Sequence, residues 1–275
     1  MKRICSQVST AKSHHHRSNR SGFKLEKYTV DAIPGYELLL TQPAKGYRFS
    51  TDSLLLADFV VQTRPTPTPP SNRIFEITDP PKHDQALQTI LDIGTGCGIL
   101  AILLAHRLPH YRAIGIEVQD RLARLAQKNI GINRLSDRVT IIHRDIIEFC
   151  TSDPSFKVGT IVSNPPYKKT GSGRLNPDPE KAIARHEIRL TVETVCRAAQ
   201  QLLIDHGSFF LVYPSERIQE LLVWLSRCDL HVHAMRFVYT QQDGPAMRVL
   251  IHAVKNGSKD CVVSPPIRLD SGSAQ

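Results

Sequence analysis

The sequence predicts an α/β fold: a mostly parallel sheet with helices on both faces, finished by an antiparallel hairpin. Three observations carry this prediction. From residue 89 onward, short apolar runs alternate with amphipathic segments: "TILDI" then "GILAILLAHRL", "RAIGIE" then "DRLARLAQKNIGIN", "GTIVSN" then "LTVETVCRAAQQLLI", "SFFLVYP" then "SERIQELLVWLSRC". That alternation builds βαβ units. The strand-like runs are apolar almost throughout, as in strands buried on both faces. Finally, "LHVHAMRFVYT" and "AMRVLIHAVK" are joined by "QQDGP" alone, which leaves no room for a crossover helix and makes the last connection antiparallel.

The elements follow in chain order. Residues 1–34 read as a disordered basic arm: the first 27 hold seven Lys/Arg against one acid, Glu26. Such a tail attracts polyanions or is merely solvated; composition does not choose. "YELLLTQPAKGYRFS" (36–50) reads as a hairpin turning at Pro-Ala-Lys-Gly, and "TDSLLLADFVVQ" (51–62) as a helix with a Thr/Asp start. The proline-rich stretch 64–85 reads as a surface insertion. The α/β core runs from 89 to 255, so residues 35–255 form one domain, and the Gly/Ser/Pro-rich segment 256–275 reads as a flexible tail.

Composition excludes several function classes. The chain of 275 residues has 41% hydrophobic content, ordinary for a globular protein. No apolar run approaches the ~20 residues that span a bilayer, and the N-terminus lacks a secretory signal's apolar block. Six cysteines are scattered without a C-x-x-C pair, which suggests neither a disulfide framework nor a zinc site and fits a reducing cytosol. No histidine spacing argues for a metal. A cytoplasmic monomer is the expectation.

Two stretches carry chemistry. In "LDIGTGCGIL" (91–100) glycines 94, 96 and 98 stand between a strand and a helix, where ligands of open α/β sheets bind. Gly94, Thr95, Gly96, Cys97 and Gly98 form the turn, and Asp92 precedes it. The carboxylate repels pyrophosphate but holds a cationic or zwitterionic ligand. Glu117, followed by Val118, stands at the next strand tip and suits ribose hydroxyls; Asp145, followed by Ile146, stands at the third and suits an adenine amino group. Taken singly, each acid reads more simply as a helix cap or a solvated loop residue. Together they describe a nucleoside pocket without a phosphate-binding lysine, which fits S-adenosylmethionine better than a dinucleotide.

The second stretch is "TIVSNPPYKK" (160–169). An adenine or amide nitrogen is a poor nucleophile because its lone pair is delocalised. Two acceptors aimed at its hydrogens favour the pyramidal geometry needed for attack on a methyl sulfonium. Asn164 supplies a side-chain carbonyl and Pro165 a backbone one. Pro165 and Pro166 stiffen the turn and offer no competing donor. Tyr167 can stack on the planar acceptor. The plainer reading, a strand end broken for topology, loses force beside the glycine turn upstream.

"LDIGTGCG", Glu117, Asp145 and "NPPY" resemble the class I, S-adenosylmethionine-dependent amino methyltransferases, with their Rossmann-like, seven-stranded, mostly parallel sheet. Within that class, "GYRFSTDSLLLADFV" and "AIARHEI" are similar to segments of the bacterial tRNA1(Val) adenine-N6-methyltransferase family. The resemblance implies a tRNA adenine-N6-methyltransferase in which Asp92, Gly94, Gly96, Glu117 and Asp145 line the cofactor site, Thr51 and Asp52 close over it, and Asn164 to Tyr167 hold the base. The loop after "NPPY" offers Lys168, Lys169, Arg174, Lys181 and Arg185 for phosphate contacts, or simply a solvated loop. The insertion, the arm and Cys97 depart from the pattern. Rival readings are glutamine methylation of the release-factor type, a DNA or ribosomal RNA amino methyltransferase, and a catalytically silent nucleic-acid-binding module.

Overall fold

The computed structural model describes residues 28–44, 48, 50–63, 86–167, 190–241, 243–258 and 260–269. A hairpin, β1 (Tyr28–Ala32) and β2 (Leu39–Pro43), precedes α1 (Thr51–Thr63). The core then alternates: β3 (Thr89–Ile93), α2 (Ile99–Arg107), β4 (Arg112–Glu117), α3 (Asp120–Ile132), β5 (Val139–His143), α4 (Ile146–Ser152), β6 (Val158–Ser163), α5 (Val192–Leu202) and β7 (Leu203–Pro214). After a 3-10 turn come α6 (Ile218–Arg227), β8 (Leu230–Tyr239), β9 (Arg248–Lys255) and β10 (Val262–Arg268).

The main sheet runs β10-β8-β9-β7-β6-β3-β4-β5. β9 pairs antiparallel with β7 and β8, and the other neighbours pair parallel. Strand order reverses between β3 and β6, so the carboxyl ends of β3, β4 and β6 meet at a switch point where ligands bind. Both faces are covered, as the apolar strands predict. Phe210 and Val212 pack with α1, α2 and α3, while Phe209 and Leu211 pack with α4, α5 and α6. Successive side chains of one strand thus serve opposite cores.

Three expectations change. The sheet has eight strands rather than seven, because part of the segment read as a loose tail, Val262–Arg268, pairs parallel with the outer edge of β8. Pro265 and Pro266 fall where the register shifts, the place in a sheet that tolerates a missing N–H. The basic arm is also shorter than read: residues 28–32 form β1. The hairpin therefore pairs Tyr28–Ala32 with Leu39–Pro43 and turns at Gly35, whose φ of +81° suits glycine. Pro43, the first residue of Pro-Ala-Lys-Gly, ends β2 and so does not close that hairpin, and Lys45 and Gly46 lie outside the described residues.

Two asparagines fasten the hairpin to the core. Asn133 bonds the Leu39 N–H and C=O at 2.9 and 2.8 Å, and Asn129 bonds those of Thr41 at 2.8 and 2.9 Å. Four residues apart, Asn129 in the last turn of α3 and Asn133 at its C-cap, they act as a surrogate neighbouring strand for β2. Asn129 also donates to the Cys97 carbonyl at 2.9 Å, tying the hairpin to the glycine turn. The insertion at 64–85 and the arm up to residue 27 lie outside the described residues.

Candidate active site

The glycine turn leaves β3 in a left-handed path, with φ of +75°, +59° and +90° at Gly94, Gly96 and Gly98. At Gly94 the demand is also steric, since a Cβ there would lie 2.5 Å from Leu190 Cδ2. The amides of Gly94 and Thr95 donate to the Ile116 carbonyl on β4 at 2.9 and 3.0 Å, which closes the turn against the neighbouring strand.

A cleft opens beside it at the carboxyl ends of β3, β4 and β6, with about 670 Å³ of space including its open mouth. Gly94 and Gly96 form one side; Glu117 with Val118 and Asp145 with Ile146 form the next; Asn164 and Pro166 face it from the end of β6. These are eight of the residues expected from the sequence. Gln119, Arg144 and Leu190 also line it, and none of the three had a signal of its own. Asp92, Thr95, Cys97 and Pro165 are buried beside the cleft instead of lining it. Gly98 caps α2, and Thr51 and Asp52 open α1; they too are off its wall.

The acids differ in their surroundings. Glu117 is buried and accepts from the amides of Gly96 and Gln119 at 2.9 and 2.8 Å. Burial pushes its carboxyl above the usual range, opposed by those amides. Asp145 caps α4 by accepting from the Ile147 amide at 2.8 Å, so the plainer reading holds for one oxygen, although the residue also lines the cleft. Asp92 is fully enclosed and is pushed up to about 7 by burial, against the Thr95 hydroxyl and the Ala101 amide. Thr95 Oγ1 donates to Asp92 Oδ2 at 2.5 Å, while Oδ1 has no hydrogen-bond partner. Burial also pushes the Cys97 thiol up to about 12, so this cysteine is a packing group and not a nucleophile.

The "NPPY" segment is held by three other parts of the chain. Asn164 Nδ2 donates to Ser53 Oγ at 3.0 Å, and the Tyr167 hydroxyl donates to Asn164 Oδ1. Arg217 Nη1 donates to the Tyr167 carbonyl at 3.1 Å. The Arg248 guanidinium carbon lies 4.7 Å from the centre of the Tyr167 ring, and Arg248 Nε donates to Asp52 Oδ2 at 3.0 Å. Asp52, which the resemblance places over the cofactor, is not among the cleft's lining residues and forms an ion pair with Arg248. Ser53, Arg217 and Arg248 carry no signal of their own in the sequence, because their partners lie 50 to 196 residues away. Lys168, Lys169, Arg174, Lys181 and Arg185 lie outside the described residues. Among the described residues no group of three or more His, Cys, Asp or Glu side chains could hold a metal ion. No described helix is long and apolar enough to cross a membrane.

Residues 81–238 match the family model described as the methyltransferase small domain. The chain belongs to this family of methyltransferases. It is 36% identical over 63% of its length to a tRNA1(Val) (adenine(37)-N6)-methyltransferase of Pectobacterium carotovorum, covering 68% of that relative. It is 32% identical over 61% of its length to one of Bacteroides thetaiotaomicron, covering 69% of that relative. Among solved structures, a predicted O-methyltransferase from Agrobacterium tumefaciens superposes with a TM-score of 0.53 at 15% identity, covering 70% of this chain and 89% of that one. The M. jannaschii tRNA m1G37 methyltransferase gives 0.51 at 13%, covering 86% of this chain and 59% of that one. These two likenesses concern the fold.

Proposed function

We propose that this methyltransferase uses S-adenosylmethionine to methylate the exocyclic amino group of an adenine in RNA, a tRNA of the tRNA1(Val) type. One observation carries the reading: Asn164 faces the cleft of Gly94, Gly96 and Glu117 with its amide held at both ends, by Ser53 and by Tyr167. A cofactor cleft and a fixed amide at one strand end are what methyl transfer to an –NH2 group requires.

The residues fit the cofactor. Glu117 retains lone pairs beyond those its two amides use, suited to vicinal hydroxyls. Ile116, Leu122 and Ile146 give the cleft an apolar wall for a purine. Asp92, buried beside the turn and pushed up to about 7, adds negative charge there once it ionises. When bound, the cofactor supplies an electrophilic methyl carbon on a sulfonium. Asn164 accepts a hydrogen bond from the acceptor's amino group and favours its pyramidal form. Pro165 and Pro166 keep donors away from that nitrogen. The nitrogen sheds its extra proton after transfer, so no strong base is needed.

The names of the relatives support tRNA as substrate. The release-factor reading expects a helical N-terminal domain, whereas among the described residues the core is preceded by a hairpin and one long helix. The test is tritiated methyl transfer to unmodified tRNA, DNA and a release factor, by the wild-type protein and Asn164→Ala. Transfer to tRNA alone, abolished in the variant while S-adenosylhomocysteine still binds, is expected. Transfer to another acceptor, or a variant that keeps most of its activity, overturns the reading.

A further inference from the structure

Tyr167 is bounded on several sides. Its hydroxyl reaches Asn164 Oδ1 and lies 3.4 Å from the Val212 carbonyl. Tyr213 meets the ring edge-on, with centroids 6.1 Å apart. The Arg248 guanidinium covers one face at 4.7 Å, close enough for a cation–π contact. A long arginine side chain holds a ring only if it is itself held. Arg248 Nε donates to Asp52 at 3.0 Å and Nη1 to the Met247 carbonyl at 3.1 Å. The Asp52 side chain is 6% exposed and that of Arg248 22%, so the pair is largely withdrawn from water and its geometry is well defined.

The first turn of α1 therefore touches the catalytic segment twice. Asp52 reaches it through Arg248 and the Tyr167 ring, and Ser53 reaches it directly through Asn164 Nδ2. Removing the arginine frees the ring to tilt. The hydroxyl then leaves Asn164, and the amide loses one of the two partners that set which way its oxygen points.

We propose that Arg248, anchored by Asp52, is a positioning residue for methyl transfer: it backs the Tyr167 ring and, through the Tyr167 hydroxyl, fixes the Asn164 amide that receives the acceptor's amino group. This rests on the methyl-transfer reading of the cleft, and it holds for any planar –NH2 acceptor.

The experiment compares Arg248→Met, Arg248→Lys and the double variant Asp52→Leu/Arg248→Met, the last to avoid stranding a buried carboxylate. With an unmodified tRNA1(Val) transcript, kcat is expected to fall about 10- to 100-fold in both methionine variants, as a misplacement near 1 Å does. KM for the transcript and Kd for S-adenosylhomocysteine stay within threefold, and Arg248→Lys, which keeps a cation over the ring, recovers part of kcat. A double variant with kcat within twofold of wild type overturns the proposal, as does a loss shared equally with cofactor affinity. The same series on a release factor and a DNA oligonucleotide separates the two readings: transfer only there retires tRNA as substrate while still reporting the Arg248 dependence. A crystal structure of Arg248→Met needs no acceptor, and a Tyr167 ring unmoved on Asn164 in that structure overturns the proposal whatever the wild type methylates.

Discussion

Asp92→Asn gives the sharpest test of the electrostatics under the glycine turn. Burial raises this carboxyl from an ordinary 3.8 to about 7. Over about three pH units that corresponds to about 4 kcal/mol between charged and neutral forms. The sign follows from proton binding. Between roughly pH 4 and 7 the native protein keeps a proton that the unfolded chain has released. The unfolded state thus binds fewer protons there, and this group's contribution to stability declines as pH rises. It is level above pH 7 and vanishes below 4. Asparagine preserves the acceptor for Thr95 Oγ1 and carries no charge. The variant should therefore match the wild type near pH 4 and be up to about 4 kcal/mol more stable above pH 7. Burial moves Glu117 in the same direction, so the informative quantity is the difference between the two proteins, in which that contribution largely cancels. Urea unfolding of the ligand-free proteins between pH 5 and 8 measures it, and S-adenosylhomocysteine binding at pH 8 should weaken in the variant as the buried charge is lost. A stability difference independent of pH, or a variant less stable at pH 8, refutes the assignment of a raised carboxyl at this position.

Asn129→Leu removes the partners of the Thr41 N–H, the Thr41 C=O and the Cys97 C=O, and should cost about 3–5 kcal/mol in urea unfolding at roughly 1–3 kcal/mol per stranded group with partial relaxation. Gly94→Ala meets Leu190 Cδ2 at 2.5 Å from a backbone at φ +75°; about 1–2 kcal/mol of strain and loss of S-adenosylhomocysteine binding by calorimetry are expected. Tyr167→Phe deletes the hydroxyl on Asn164 Oδ1 and should lower kcat about tenfold with cofactor binding unchanged, since roughly 1.4 kcal/mol of lost orientation is a factor of ten. Deleting residues 1–27, with their net +6, should weaken tRNA binding and flatten its salt dependence, read by filter binding at several salt concentrations.

How far the sequence discloses these features depends on the range of the interaction that makes them. The strands of the core are legible because burial on both faces leaves an unbroken apolar run, and Gly94, Glu117, Asp145 and Asn164 are legible because a parallel sheet brings strand tips together. The hairpin register is not legible, because Pro-Ala-Lys-Gly has turn chemistry as good as that of Gly35. β10 is hidden because Pro265 and Pro266 mark a segment as irregular, and only the open edge of β8 gives it a partner. Asn129 and Asn133 look like weak residues in an ordinary helix until β2 lies beside them. Asp52 shows where the limit falls. A carboxylate in the buried first turn of an apolar helix needs a cation, so the sequence demands a partner for it. It also offers 35 lysines and arginines, and nothing local distinguishes Arg248 among them. Only the antiparallel return of β9 beside β7, which sets Arg248 opposite Pro214, brings that guanidinium to the ring of Tyr167. A one-residue slip of that ladder would turn the arginine to the other face of the sheet, leaving Asp52 buried without it and Tyr167 uncovered.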